Sequence, residues 1–256
     1  VTVQPSLPIA FVNPPPAITI SCADAIGYDP GTLDYTNNDL NACLIEGSVP
    51  GVVAGNFNEC GGNLTATWTY TDACNRPITH TQAITVSPAP QATWDDTPGP
   101  ETIDCDAADA YTAPNLSYSN GDAGVCLIEG NVPAQVTINY DECGGTMTIF
   151  WTFTDDCNRT ITHTQVITVD PAPVADWVNP PADIDVACDA ATAFVAQPLN
   201  YTNGQAGRCV IAGTVNPNVV ENYTECGGTI TITWSFTDAC NRTINHTQVV
   251  TVLPAP

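Results

Sequence analysis

The chain contains no lysine, and its four arginines stand against 27 acidic residues, for a net charge of −23. Without lysine, the Lys–Asn isopeptide bonds that lock some bacterial surface rods cannot form. A surface this acidic repels nucleic acid and anionic lipid. No hydrophobic stretch is long enough to span a membrane, which implies no direct membrane insertion in this segment, and no initiator Met or signal peptide is present. No pair of cysteines has the C-x-x-C spacing of zinc ribbons, no segment holds a sustained helical period, and no phosphate-binding glycine loop occurs. Charged residues make up 12% and hydrophobic ones 43%, so the chain is no disordered acidic tail.

What is present is repetition. Twelve cysteines fall at 22, 43, 60 and 74, at 105, 126, 143 and 157, and at 188, 209, 226 and 240. Each recurs after 83 residues without insertion. Between Cys143–Pro173 and Cys226–Pro256, 24 of 31 residues are identical. The expected organisation is the last strand of a preceding repeat at 1–3, repeats at 4–86, 87–169 and 170–252, and the start of a following repeat at 253–256. A chain that opens and closes inside the repeat reads as a window on a longer array.

Alternation marks the strands. Ile230, Ile232, Trp234 and Phe236 share one face, with Thr231, Thr233, Ser235 and Thr237 on the other. The turn Asp238-Ala239-Cys240-Asn241 leads into a second strand over 243–252, and the same hairpin recurs over 64–86 and 147–169. Shorter strands are expected at "AITIS" before Cys22, at "LDYT" from Leu33 and at "CLIEGSV" from Cys43. The fold class is all-β: three immunoglobulin-like β-sandwich repeats, stapled by disulfides and set end to end as a rod. Trp68, Trp151 and Trp234 read as core residues, with sugar stacking as the alternative.

Four cysteines per repeat with no tight pair point to disulfides in an oxidising compartment. With the incoming end of a repeat as the bottom, strand directions put Cys22 and Cys60 at the top and Cys43 and Cys74 at the bottom. This predicts Cys22–Cys60 and Cys43–Cys74, and likewise Cys105–Cys143, Cys126–Cys157, Cys188–Cys226 and Cys209–Cys240, one of three pairings open to each repeat.

The joins are rich in proline and carry an aromatic, Phe11, Trp94 or Trp177. Proline stiffens such a join. The aromatic either packs between repeats or lies on the first strand of its own.

The stretch W-x-F-T-D-A-C-N-R-T, followed by T-Q-x-x-T-V-x-P-A-P, resembles hyalin-repeat-like, immunoglobulin-fold modules. These occur in very large surface proteins of Bacteroidota, such as gliding-motility adhesins exported by type IX secretion. The likeness covers about 30 residues of each repeat. Many such modules have Gly where Asn75, Asn158 and Asn241 stand here. The resemblance implies extracellular display, adhesion or fibre formation, and no enzyme activity.

Chemistry is sparse. His80, His163 and His246 occupy equivalent positions with no acid at a fixed short spacing, so no general base and no catalytic residue is expected. No cofactor is expected either. Calcium is the alternative for Asp183, Asp185 and Asp189, for Glu101, Asp104, Asp106 and Asp109, and for the sparser Asp24 and Asp29. N-x-S/T sequons fall at Asn63, Asn115, Asn158, Asn200, Asn222, Asn241 and Asn245, glycan acceptors where the host has the machinery. The expected function is a structural and adhesive segment of a long extracellular surface filament or adhesin. Its partners would be further copies of the repeat and an external surface or glycan. The alternatives are an array of carbohydrate-binding modules and a non-catalytic stalk of a secreted enzyme.

Overall fold

The computed structural model describes residues 6–255. The strand expected at 1–3 lies outside the described residues, as does Pro256. The chain is all-β. In the first repeat the strands are β1 (Ala10–Phe11), β2 (Ile18–Ile20), β3 (Thr32–Thr36), β4 (Glu46–Pro50), β5 (Val52–Asn58), β6 (Gly61–Thr71) and β7 (Pro77–Val86). They form two sheets, β1-β3-β4 and β2-β7-β6-β5. Strand β2 runs parallel to β7, and the other pairs are antiparallel.

The long hairpin arises from its alternation. Leu64, Ala66 and Trp68 of β6 and Ile84 and Val86 of β7 point inward and are buried with Leu33 of the facing sheet. The outward rows are Thr, whose branched side chains suit a pleated surface. Trp68 is 1% exposed, and its indole N–H donates to the Gly31 carbonyl at 3.2 Å. Trp234 is bound in the same way to Gln197. These tryptophans are core residues, with no face left for a sugar.

The third repeat has the same two sheets, around Leu199, Ile230, Ile232, Trp234, Val250 and Val252. The second repeats both strand orders as well. Compact units do not follow the repeat boundaries. One comprises residues 1–97, 115–133 and 151–163, and the other 98–114, 134–150 and 164–256. The first unit therefore holds the junction of repeats one and two, and the second unit that of repeats two and three.

Three local features depart from the sequence reading. Strand β5 leaves no signal in the sequence, because its apolar residues do not alternate and it lies on the sheet edge with most side chains exposed. A single helical turn begins at Cys22, Cys105 and Cys188; turns of four or five residues leave no periodic signal. The segment from Cys43 opens with a 3-10 turn at Asn41–Cys43, and its strand starts only at Glu46.

Candidate functional site: the junctions between repeats

The cysteines pair across repeats. Cys22 bonds Cys126 and Cys60 bonds Cys157 in the first compact unit, and Cys105 bonds Cys209 and Cys143 bonds Cys240 in the second. The first cysteine of a repeat takes the second of the next, and the third takes the fourth. This corrects the predicted pairs Cys22–Cys60, Cys43–Cys74, Cys105–Cys143, Cys126–Cys157, Cys188–Cys226 and Cys209–Cys240, none of which forms. It also corrects the expectation that all twelve are bonded, since Cys43, Cys74, Cys188 and Cys226 are free thiols.

The physical reason lies in the ends. Ile20 and Gly62 both pair with Val86, so Cys22 and Cys60 flank one end of the first repeat, as strand direction implied. Cys22 Sγ lies 3.3 Å from the Asn58 carbonyl. Cys74 sits in the turn between β6 and β7 at the opposite end. The placements hold, but the top of one repeat meets the bottom of the next. A cysteine at the top thus has partners at its own level in two repeats, and the bonds go to the neighbour.

The second, third and fourth cysteines of each repeat are presented by short-range polar devices. Asp155 Oδ1 accepts from the backbone N–H of Cys157 and of Arg159, while Oδ2 takes the Arg159 guanidinium at 2.7 Å. Asp72 and Asp238 clamp Arg76 and Arg242 in the same way. Asn75, Asn158 and Asn241 sit in these loops with φ of 58°, 60° and 62°, left-handed positions that suit Asn or Gly. At the upper loop, Asn58, Asp141 and Thr224 accept from the N–H of Cys60, Cys143 and Cys226. The next residue must also turn left-handed: a Cβ on Gly61, at φ +88°, would meet the Val86 carbonyl at 2.5 Å. Asn120 donates to the Cys126 carbonyl at 2.8 Å and accepts from the Ile128 N–H; Asn37 and Asn203 do the same for Cys43 and Cys209. The signal of these Asn and Asp residues in the sequence is a fixed offset, Asn six residues before the second cysteine of each repeat and Asp two before the fourth.

The connecting backbone is held on both sides. Ala89, 1% exposed, donates its N–H to the Glu59 carbonyl of repeat one, and its own carbonyl accepts from Arg159 of repeat two at 2.6 Å. Ala172 repeats this with Glu142 and Arg242. Apolar packing continues across the first junction, where Cys22, Ala25, Ala89 and Ala92 cluster with Tyr118, Cys126 and Ile128. Hydrogen bonds from Arg159 and from the Cys157 N–H outweigh the upward push of burial and hold the Asp155 carboxyl below the usual carboxylate range. Asp238 behaves alike.

The junction aromatics lie on the first strand of their own repeat. Phe11, Trp94 and Trp177 pair in register with Tyr35, Tyr118 and Tyr201. Trp94 and Trp177 are half-buried, edge-on to those tyrosines at 6.1 Å. His80 and His246 bond the Pro15 and Pro181 carbonyls at 2.9 Å, and all three histidines lie beside the core tryptophans. Asp183 accepts from the Val249 N–H, and Asp109 from Tyr140 and from the Arg208 N–H. Among the described residues, no three His, Cys, Asp or Glu side chains come together as a metal site. Asn63, Asn115, Asn158, Asn200, Asn222, Asn241 and Asn245 are all exposed. No helix among the described residues is long and apolar enough to cross a membrane.

No protein-family model matches the chain, and no curated protein sequence matches it. Among solved structures it is similar to protocadherin gammaB7 EC3-6, with 9% identity over 96% of this chain and 77% of that one and a TM-score of 0.37. It is similar to mouse cadherin-23 EC22-24, with 9% identity over 98% and 100% and a TM-score of 0.37. It is also similar to titin domains I67-I69, with 6% identity over 98% and 99% and a TM-score of 0.28. Likeness at this level says nothing of function.

Proposed function

We propose that this chain is a structural and adhesive segment of a long extracellular surface filament or adhesin, built to carry tension. The observation that carries the reading is the register of the disulfides. From Cys22 to Cys240 the backbone has 218 residue steps. With Cys22–Cys126 and Cys143–Cys240 closed, only the 17 steps from Cys126 to Cys143 lie on the shortest covalent path. At about 3.5 Å per residue, complete unfolding stretches that interval to roughly 60 Å plus two disulfides, against roughly 760 Å when reduced. A chain under load is thereby kept from unravelling even where its sandwiches open.

Disulfides persist in oxidising surroundings, which supports an extracellular location. The resemblance to hyalin-repeat-like modules supports display on a Bacteroidota surface through type IX secretion, with further copies of the repeat as the first partners. The histidines are engaged with backbone and core, which supports a non-catalytic role. Sugar binding calls for open aromatic faces, and Trp94 and Trp177 instead stand edge-on in their own sheets.

Single-molecule pulling between the two ends tests the reading. The oxidised chain should reach its limit at roughly a quarter of the reduced contour length. Extension of the oxidised chain to the full contour would remove the mechanical role.

A further inference from the structure

We infer that the exposed faces around Cys43 and Cys74 of the first repeat and around Cys188 and Cys226 of the third are complementary, and that a second copy docks head to tail through two disulfides, Cys188 to Cys43 and Cys226 to Cys74. The pairing rule is followed by all four observed bonds: first cysteine to second of the next repeat, third to fourth. Applied once more, it assigns a partner to each of the four free thiols.

Burial supports this independently. The residues covered at the occupied junctions are uncovered at the ends. Cys126 and Cys209 are fully buried and Ile128 and Ile211 are 6% and 5% exposed, whereas Cys43 is exposed and Ile45 half-exposed. Cys22 and Cys105 are buried, whereas Cys188 is only half-buried. The presenting devices are already set: Asp72 holds the Cys74 loop, Asn37 the Cys43 carbonyl and Thr224 the Cys226 N–H. At Asn41, in the place of Gly124 and Gly207, the backbone takes the same left-handed turn, φ 54° against 57° and 60°.

The oxidant is a small-molecule disulfide such as oxidised glutathione. The Cys188 thiolate attacks it, forms a mixed disulfide and releases one glutathione thiolate. The Cys43 thiolate of the second copy then displaces the other glutathione. Per bond, two cysteine thiols are oxidised, two electrons pass to glutathione, and two protons leave with the two glutathione molecules. Ala255 already bonds the Glu225 carbonyl, as Ala89 and Ala172 do at the occupied junctions. The incoming copy's Ser6 segment competes for that place, so a chain ending at Val252 should couple faster.

The test uses two capped forms, C43A/C74A and C188A/C226A, whose substitutions leave the four existing bonds intact. Each alone in a glutathione redox buffer should stay monomeric, and a 1:1 mixture should give a covalent dimer containing only Cys188–Cys43 and Cys226–Cys74. The unsubstituted chain should give a series of oligomers. I45D placed in the C188A/C226A form should slow coupling about tenfold or more by spoiling the apolar contact. Dimers from one capped form alone, crossed pairs in comparable amounts, internal Cys43–Cys74 or Cys188–Cys226 bonds, absence of coupling, or no slowing with I45D would each overturn the inference. It shares the bond register with the tension path: an oxidised chain that extends to full contour would remove both, whereas capped forms that fail to couple while the oxidised extension limit holds would overturn this inference alone.

Discussion

The junctions of repeats one and two and of repeats two and three share two disulfides, an Asp–Arg clamp and a bonded alanine strap, yet differ beside them. At the first, Ile26 lies over Gly124, its Cδ1 3.5 Å from where a Cβ would stand. At the second, the equivalent residue is Asp109. It accepts from the Tyr140 hydroxyl at 2.8 Å and from the Arg208 N–H at 2.9 Å, with the Arg208 guanidinium over the Tyr140 ring. Phe57 and Val125 stand in the first repeat pair where Tyr140 and Arg208 stand in the second. An apolar set has been exchanged for a polar one as a group. The crosslinks fix the join, and the contact beside them is free to vary.

The largest effect should come from the shared part. Removing C22/C126 or C105/C209 as double alanine variants opens a loop spanning 104 residues in each case. Each should cost about 2–5 kcal/mol, or roughly 5–15 °C in thermal midpoint. Calorimetry should find the two losses equal; a clear difference would mean that the neighbouring contacts, not the bonds, set junction stability.

Next in size, Gly207→Ala should be worse than Gly124→Ala. Both positions have positive φ, which costs about 1 kcal/mol for alanine. At Gly207 the added Cβ also lands on the Asp109 carboxylate. Gly207→Ala should therefore cost about 2–3 kcal/mol in denaturant unfolding, roughly twice the loss at Gly124. Equal losses would break the distinction between the junctions.

Acid should act on both alike. The Asp155 and Asp238 carboxyls titrate below their unfolded values despite the opposing push of burial. Their stabilisation is complete above the ordinary carboxylate pKa of about 3.9 and is lost as pH falls through the lower folded values. An R159A/R242A variant should show a shallower fall in thermal midpoint below pH 4. A fall as steep as that of the unsubstituted chain would assign the acid sensitivity to other groups.

The smallest effect belongs to the second junction alone. Burial, together with the bond to Asp109, pushes the Tyr140 phenol up to about 12. Asp109→Asn should bring it down toward 10 and cost about 1 kcal/mol. Ultraviolet titration reads this directly, and an unmoved phenol would leave burial as the whole cause.

These contrasts also show what the sequence made legible. The period, the Thr/Trp hairpin and the end of the repeat at which each cysteine lies were readable, because alternation and strand direction are local properties. The partner of each cysteine was not. Cys22 stands level with Cys60 in its own repeat and bonds Cys126 in the next, and only the docking of repeats decides between them. Edge strand β5 escaped because its exposed face carries no apolar period. The clamps at Asp72, Asp155 and Asp238 lie within D-x-C-N-R, a motif whose composition marks a turn but whose hold on the cysteine shows only in the folded loop.

The central claim is that the disulfides join neighbouring repeats. Proteolysis of the native, alkylated chain without reduction, followed by mass spectrometry of the linked peptides, tests it most directly. The account predicts four linkages within the monomer, Cys22–Cys126, Cys60–Cys157, Cys105–Cys209 and Cys143–Cys240, with Cys43, Cys74, Cys188 and Cys226 alkylated in the monomer and linked only as Cys188–Cys43 and Cys226–Cys74 in any oligomer. Recovery of Cys22 linked to Cys60, or of Cys126 linked to Cys157, would contradict it.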